Sequence, residues 1–553
     1  MSDAPLSFAQ QQLWFIDRLA PHDSAYNFDL VMDLGGEVDT AALRRAFQRV
    51  VARHDTLRTI FPIGADGAPC QRVVEDFELP FDVVDLSSLP EAASRNAAGA
   101  LVREWAGEPF DLERGPLIRV RLVRIGDREH VLGVFLHHAV IDGWSTEVLF
   151  RELAHYYTPN REPGALPAPA VRYADHARRQ RELLSGDRLT RQLGWWLDYL
   201  RGTPTTLALP AEGLVERRSS HGARVVAELP AATITGVSAI ARTASATPFM
   251  VLLAAYAVLL TQHIGARSVL IGTQVAGRPR RELHDLIGLF ANTIPIRVDL
   301  EAQRTFAELV AHVRESTLDA LAHDEVPLDR IVDAVRPNRT VGSNPLVQTV
   351  FAVQPGPPPV PALSGLSVEP RTLAATTSKF DLGVAVQAKA DGGHEVALTY
   401  RTGTLTERTA LELVRRYRDL LAAAVEAPDT HLRRLAPHAP PRADTPSGAV
   451  LEDVLAGIWR EVLDNDRITV HDNFFDAGGQ SLTMAIVHAR MERELGRELP
   501  MVAFYEHPTI AALAAHLSGR AAPATTPNRP PDRRRSPSTR SRQHRRAVRG
   551  RGE

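Results

Sequence analysis

The sequence predicts a large mixed α/β region followed by a small all-helical bundle. Three observations support this fold class. Up to about residue 435, short β-branched runs alternate with helical apolar patterns. Residues 436–448 (APHAPPRADTPSG) then have the composition of an exposed linker. Residues 449–519 carry helical periodicity alone, so we expect a compact bundle there.

Four segments define the α/β region. Residues 131–138 (VLGVFLHH) form a continuous apolar run, which is typical of a strand buried on both faces. Apolar residues at helical spacing follow Gly143 and predict a helix. Thr247 and Pro248 are an N-cap and a first-turn proline before a buried helix, and residues 269–275 predict a further strand. Residues 204–210 are expected to connect two halves.

The bundle is predicted to hold helices beginning near residues 450, 481 and 508, within an expected four-helix arrangement. The first has one apolar stripe, and in the second Leu482, Ile486 and Met491 are expected to face inward. The linker before the bundle and the sequence after it mark it as a separate domain.

Composition excludes several classes of protein. With 44% hydrophobic and 24% charged residues among 553, the chain is neither fibrous nor wholly disordered. Its single cysteine, Cys70, excludes an intrachain disulfide framework or a cysteine-rich metal cluster and favours a reducing compartment. The N-terminal residues show no signal-peptide pattern, and the longest apolar run, 249–260, is shorter than a membrane span. We therefore expect a cytoplasmic location and no membrane contact.

The net charge of −2 conceals a basic tail. Residues 520–553 hold eleven arginines against Asp532 and Glu553, and they lack large apolar side chains. Such a segment cannot build a core, so we expect a disordered extension with no nucleic-acid role.

The strongest chemical signal is residues 137–143 (HHAVIDG). Adjacent side chains on a strand point to opposite faces, so only one of His137 and His138 can face a given cavity. A shared metal ion is therefore not expected, and no third ligand is spaced nearby. Two interpretations remain open on these residues alone. They are two hydrogen-bonded core histidines, or a histidine suited to proton transfer near neutral pH.

Further blocks give the motif a context. In order, these are SFAQ–LW (7–14), RHDTLRT (53–59), YAD (173–175), IGLFANT (287–293), HDEVP (323–327) and SNPL (343–346). With the HHAVIDG motif they make residues 6–435 resemble the condensation domain of non-ribosomal peptide synthetases, in the chloramphenicol acetyltransferase-like superfamily.

That resemblance implies two lobes, residues 1–175 and 176–435, arranged in a V around a solvent tunnel. It makes His138 the catalytic histidine, with His137 packed on the other face. It gives Asp142 an architectural role that requires a basic partner, because an unpaired buried carboxylate is costly. Arg278 is the first candidate for that partner and Arg58 the second. Gly143 would allow close approach of a thioester, and its N–H would stabilise an oxyanion.

The bundle carries a second block, residues 472–482 (DNFFDAGGQSL). Alone, its Gly-Gly-x-Ser pattern is typical of an N-capping serine. In this context residues 449–519 resemble a peptidyl carrier domain, which implies that Ser481 receives 4′-phosphopantetheine from a phosphopantetheinyl transferase. A hydroxyl at a helix N-terminus suits a phosphate ester there.

Together the resemblances imply a condensation–carrier didomain that forms a peptide bond. An upstream carrier protein would bring the acyl or peptidyl donor. Because no adenylation segment lies between the two parts, a separate adenylation enzyme would load Ser481 in trans. Two alternatives remain open, an ester-forming acyltransferase with a hydroxyl acceptor and a non-catalytic platform that docks a carrier. The opening block resembles the subtype that accepts L-configured donors, which disfavours an epimerase.

Overall fold

The structure is a computed structural model of the chain, and its compact units are residues 1–440 and 441–553. It describes residues 3–21, 23–158, 164–207, 209, 220–337, 344–354, 356, 359–373, 376–389, 392–435, 448–463, 465, 467–472, 474, 477, 487–488, 490–491, 507 and 509–517. The predicted basic tail and most of the predicted linker lie outside these residues.

The first unit is a mixed α/β assembly, as predicted. Its strands are β1 (Ala4–Pro5), β2 (Asn27–Gly35), β3 (Thr59–Ile60), β4 (Cys70–Val73), β5 (Phe81–Asp85), β6 (Ile118–Arg124), β7 (Glu129–His137), β8 (Gly222–Leu229), β9 (Ser268–Val275), β10 (Asn292–Asp299), β11 (Thr349–Gln354), β12 (Ser367–Pro370), β13 (Leu382–Ala388) and β14 (His394–Arg401). Its helices are α1 (Phe8–Leu19), α2 (Thr40–Arg53), α3 (Glu91–Gly107), α4 (Gly143–Tyr156), α5 (Tyr173–Leu183), α6 (Gly186–Tyr199), α7 (Ala231–Thr243), α8 (Pro248–Ile264), α9 (Phe306–Leu321), α10 (Leu328–Val335) and α11 (Glu407–Glu426).

The first large sheet has the strand order β12-β2-β7-β6-β5. Its strand β7 is buried along nearly its whole length, which confirms the prediction from the continuous apolar run. Because β7 has neighbours on both edges, its last residue, His137, is fixed at the centre of the sheet. The small sheet β1-β4-β3 lies in the same part of the chain.

The second large sheet has the order β10-β9-β11-β13-β14-β8 and a core of its own. The predicted buried helix is confirmed as α8, in which every residue from Met250 to Leu260 is buried. Thr247 caps it by accepting from the Met250 N–H, and Pro248 opens its first turn. The predicted strand at residues 269–275 is also confirmed, as β9.

One strand crosses between the two halves of the sequence. Strand β12 follows the second half's β11 but pairs antiparallel with β2 of the first sheet. The chain then returns to the second sheet as β13. The predicted boundary after residue 175 falls within α5, and the predicted domain limits remain predictions.

The second unit contains α12 (Gly448–Val462) and α13 (Ile510–Leu517) among its described residues. The predicted apolar stripe of α12 is buried, with Leu451, Leu455, Ile458 and Trp459 in one cluster together with Met491. The N-terminal part of the predicted second helix, including Ser481, Leu482 and Ile486, lies outside the described residues.

No single helix in the described part of the chain is long and apolar enough to cross a membrane. Helices α7 and α8 pass that test only as a pair bent by 107°. Helix α8 lies in the core of the second sheet.

Candidate active site

A strand, a turn and a helix carry the HHAVIDG motif. Strand β7 ends at His137, a 3-10 turn spans His138–Val140, and α4 begins at Gly143. Asp142 is the N-cap of α4, and its Oδ1 accepts from the Ser145 N–H at 2.9 Å. The aspartate of the motif therefore starts the helix, and the turn holds the second histidine beside the helix N-terminus.

The His138 ring is oriented by one short hydrogen bond. Its Nδ1 lies 2.7 Å from the carbonyl oxygen of Ile141, which can only accept, so Nδ1 carries the proton. The ring also packs edge-on against Phe28, with centroids 5.3 Å apart. Burial, and then the positive charge of Lys379, lower the pKa of His138 to about 3. His138 is thus a neutral imidazole whose Nε2 is left as a hydrogen-bond acceptor.

His137 is held differently and lies in the core. Its Nδ1 accepts from the Ala139 N–H at 3.1 Å, and its ring meets Phe110 edge-on. Only 4% of the residue is exposed, and burial, followed by the neighbouring His138, lowers its pKa to about 3. This environment agrees with the packing role expected for His137.

Asp142 is the centre of a buried polar network. Its Oδ1 accepts from the Ser145 N–H, from Ser145 Oγ at 2.6 Å and from Arg278 Nη2 at 3.0 Å. Its Oδ2 accepts from the backbone N–H groups of Phe290 and Ala291 at 2.9 and 3.3 Å. Both carboxylate oxygens are satisfied, which a fully buried charge requires.

Of the two arginines considered as its partner, Arg278 is the one that reaches Asp142. The guanidinium also donates to the Leu286 carbonyl at 2.8 Å and stacks on the Phe290 ring at 3.9 Å. Burial lowers its pKa, while Asp142 opposes that shift. Arg58 bonds instead to Asp55 and to the Val74 carbonyl, so pairing it with Asp142 was wrong. The first candidate is thus the residue that contacts Asp142, although both arginines are distant from residue 142 along the chain.

Gly143 faces open space. A Cβ built on it would meet no atom of the described residues within 4 Å, and the residue is exposed. As the first residue of α4, it has an N–H with no partner inside the helix. The space around its Cα is therefore open among the described residues.

Three positions near the motif were not singled out from the sequence as contributors to the site. Ser145 Oγ links Asp142 to Gly288, because it donates to Asp142 Oδ1 and accepts from the Gly288 N–H at 3.1 Å, and its place at the third position of α4 was the available signal. Gln10, in the opening block, donates from Nε2 to the Ala139 carbonyl at 3.3 Å. Lys379, one of two lysines in the chain, has its Nζ 5.3 Å from the Tyr26 ring centroid and lowers the pKa of His138.

The RHDTLRT block contacts α4 through Glu152. Arg53 Nη1 and His54 Nε2 contact the two carboxylate oxygens of Glu152 on α4, at 2.7 and 2.9 Å. All three belong to a network between α2 and α4 in which His54 and Glu152 are buried. The block thus fixes the helix that begins at Gly143.

The predicted cofactor serine, Ser481, lies outside the described residues. Within the described part of the chain, no group of three or more His, Cys, Asp or Glu side chains is arranged to hold a metal ion.

Two family models match the chain. The model described as condensation domain matches residues 1–439, and the model described as phosphopantetheine attachment site matches residues 453–517. Ser481 is the only serine in residues 453–517.

Curated relatives include components of peptide synthetases. A linear gramicidin synthase component of Brevibacillus parabrevis is 37% identical over 425 residues, which are 76% of this chain and 5% of that protein. Phosphinothricin tripeptide synthetase PhsC of Streptomyces viridochromogenes is 41% identical over 357 residues, 64% of this chain and 33% of that protein. The chain therefore spans a third or less of these relatives' lengths.

Solved structures share the fold. The X-domain in complex with OxyB from teicoplanin biosynthesis has a TM-score of 0.70 and 27% identity, over 79% of this chain and 96% of that chain. The first condensation domain of the calcium-dependent antibiotic synthetase, in complex with a substrate analogue, has a TM-score of 0.65 over 79% of this chain and 99% of that chain. Its 21% identity shows the fold alone. The chain belongs to the condensation-domain family of non-ribosomal peptide synthetases and continues into a phosphopantetheine-binding carrier domain.

Proposed function

We propose that this chain joins a carrier-bound acyl or peptidyl thioester to the amine of an aminoacyl thioester held on Ser481, forming an amide bond. The C–S bond of the donor breaks, and the upstream carrier's thiol leaves with the proton that the amine loses. The observation that carries the proposal is an oriented, neutral His138 in the same turn as the exposed Gly143, which begins α4 and whose N–H has no partner inside that helix. A hydrogen-bond acceptor for the attacking amine and a donor for the developing oxyanion are the two groups that acyl transfer requires.

His138 acts by orienting the amine. With Nδ1 committed to the Ile141 carbonyl, Nε2 accepts an N–H of the acceptor and directs the nitrogen lone pair at the thioester carbonyl. A pKa of about 3 makes the imidazole a weak base, so full abstraction of a proton before attack is not its role. An α-amine, with a pKa near 8, already has a free fraction at neutral pH.

Gly143 and Asp142 provide the second half of the site. The Gly143 N–H, at the positive end of α4, is placed to stabilise the oxygen on which negative charge develops. Asp142 caps the same helix and so orients that N–H. The Asp142 carboxylate itself accepts hydrogen bonds from five donors.

The carrier segment fits a phosphopantetheine group. The chemistry needs one hydroxyl for a phosphate ester, and residues 453–517 offer Ser481 as their only serine. The bound group supplies a thiol on which an acyl chain is carried as a thioester. A phosphopantetheinyl transferase, an adenylation enzyme acting in trans and an upstream carrier are the partners that this proposal requires. We also propose a cytoplasmic location, because such partners are cytosolic enzymes.

The direct test uses the full chain with Ser481 loaded by a phosphopantetheinyl transferase from aminoacyl-coenzyme A. A panel of N-acyl-L-aminoacyl N-acetylcysteamine thioesters serves as donors, and intact mass spectrometry follows Ser481. We expect a dipeptidyl product whose new bond survives mild alkali. A product formed only on a hydroxyacyl arm, and cleaved by alkali, would make the chain an ester synthase. No product from any pair, with the fold intact, would make it a docking platform.

A further inference from the structure

A closed circuit of hydrogen bonds surrounds the HHAVIDG turn. It passes through the start of α1, the turn itself, the segment after β9 and the start of α5. Its side chains are those of Ser7, Gln10, Asp142 and Tyr173, and each of these residues is 3% exposed or less.

The first half of the circuit runs from α1 to the turn. Ser7 and Gln10 form a reciprocal capping box, in which Ser7 Oγ accepts from the Gln10 N–H and Gln10 Oε1 accepts from the Ser7 N–H, both at 3.1 Å. Gln10 Nε2 then donates to the Ala139 carbonyl at 3.3 Å. The Gln10 side chain therefore caps α1 through its amide oxygen and bonds to the turn through its amide nitrogen.

The second half of the circuit runs from Ser7 through Tyr173 and the segment around Leu289 to Asp142. The Tyr173 hydroxyl donates to the Leu289 carbonyl, so it must accept from the Ser7 hydroxyl, which lies 2.9 Å away. The residues after Leu289 donate their N–H groups to Asp142, three residues beyond Ala139. Each hydroxyl in the path donates once and accepts once, so the direction of every bond is fixed.

Burial makes this circuit cooperative. A buried polar group that loses its partner gains none from solvent, and bonds in one network polarise one another. The Ala139 carbonyl lies between His138, which it follows, and Asp142, which begins α4. The hydrogen bond to the Ala139 carbonyl therefore restricts the backbone of the turn. That backbone determines the position of the His138 ring relative to the Gly143 N–H.

We propose that Gln10 is a positioning residue of the condensation site, acting through the Ala139 carbonyl on the placement of His138. This inference rests on the proposed function and adds to it a role for the opening block. Gln10 is buried, and its amide bonds to Ser7 and to Ala139, so we place its effect on the geometry of the turn and not on contact with the substrate.

The substitution Gln10→Glu separates the two roles of the side chain. Glutamate is the usual partner in a capping box, so α1 keeps its cap. When ionised, the carboxylate cannot donate, so the Ala139 carbonyl loses its partner, and the assay is run at pH 8 to favour that form against the effect of burial on its pKa. Gln12→Glu is the matched control, because Gln12 lies on the same helix and is exposed. Gln10→Met is a second variant that removes both hydrogen bonds without introducing a charge.

Two measurements on the full chain test the inference. In the condensation assay at pH 8, with the best donor thioester of the panel, we expect Gln10→Glu to lower kcat by about 100-fold, with KM for the donor within about twofold. By mass spectrometry of amide hydrogen exchange, we expect the peptide covering residues 137–146 to exchange about tenfold faster than in the wild type. Gln12→Glu should match the wild type in both. Gln10→Glu leaves the buried Ala139 carbonyl without its partner, so we expect its thermal midpoint to be a few degrees lower while the protein stays fully folded at the assay temperature.

The outcomes separate the inference from the proposed function. Wild-type kcat and wild-type exchange in both Gln10 variants would overturn the inference, even where His138→Ala is inactive. A loss of kcat in proportion to lost thermal stability, with KM rising as well, would reduce Gln10 to a structural residue and also overturn it. If no donor turns over in the wild type, the proposed function fails, and the exchange measurement still decides whether Gln10 orders the turn.

Discussion

Arg278 donates from Nη2 to Oδ1 of Asp142 at 3.0 Å, and both side chains are almost completely buried. The two residues are 136 positions apart. Arg278 follows β9 of the second sheet, whereas Asp142 follows β7 of the first and begins α4. The pair therefore connects the HHAVIDG turn to the other half of the first unit. Breaking it would disturb both halves together.

Asp142→Asn should destabilise the first unit and reduce condensation. An amide offers one accepting oxygen, whereas the carboxylate accepts from five donors through two oxygens. Breaking a buried pair of this kind costs about 3–5 kcal/mol of unfolding free energy. Urea denaturation of Asp142→Asn, Arg278→Met and the double variant measures this cost. A double variant that loses the full sum of the two single losses would show that the residues are not coupled.

Gly143→Ala should separate activity from stability. Its Cβ would meet no atom of the described residues within 4 Å, so the fold has room for it, and replacing a glycine by alanine at a compatible position typically adds about 0.4–1 kcal/mol. The same methyl group would occupy the space where we place the thioester. We expect kcat/KM to fall about tenfold or more with an unchanged or higher thermal midpoint. Wild-type turnover would show that the substrate does not approach this residue.

The burial of His137 predicts a pH dependence of stability. Its pKa is about 3 in the folded protein and 6.5 in an unfolded chain, so unfolding below pH 6.5 takes up a proton. The contribution of neutral His137 to the unfolding free energy is therefore complete above pH 6.5. It falls as the pH drops towards 3, by up to about 1.4 kcal/mol per pH unit from this group. Urea denaturation at pH 7, 6 and 5 should show a shallower dependence in His137→Gln. Equal slopes in the two proteins would mean that His137 titrates normally.

Ser481 should be the point of phosphopantetheine attachment. Incubation with coenzyme A and a phosphopantetheinyl transferase is expected to add one phosphopantetheine mass to the wild type and none to Ser481→Ala. Because residues 453–517 contain no other serine, the variant leaves that segment without a serine hydroxyl. Modification that persists in Ser481→Ala would place the cofactor elsewhere.

Local patterns in the sequence predicted the elements that form this site. The apolar run of β7 and the cap and first-turn proline of α8 follow from neighbouring residues. The sequence placed both histidines on the strand, whereas the strand ends at His137 and His138 lies in the 3-10 turn that follows. The first candidate for the partner of Asp142, Arg278, is the residue that contacts it, but local patterns left Arg58 as a second choice, because excluding it requires knowing which loop of one half meets the turn of the other.

The circuit of hydrogen bonds through Gln10 and Tyr173 could not be predicted from the sequence either, because its contacts are non-local. Both residues stand in blocks that are recognisable in the sequence, but their contacts join segments more than 100 residues apart. The crossing of β12 to the first sheet is equally non-local. Periodicity and caps describe single elements, and they carry no information about which elements meet.

The most direct test of the central claim follows the mass on Ser481 in wild type and His138→Ala, each loaded with the same aminoacyl arm and given the same donor thioester. Removing the imidazole takes away the acceptor that orients the amine, while the Asp142 network that supports the turn remains. We predict that the wild type gains the donor's acyl mass and that the rate falls at least about 100-fold in His138→Ala with unchanged thermal stability. Equal rates in the two proteins would contradict the account.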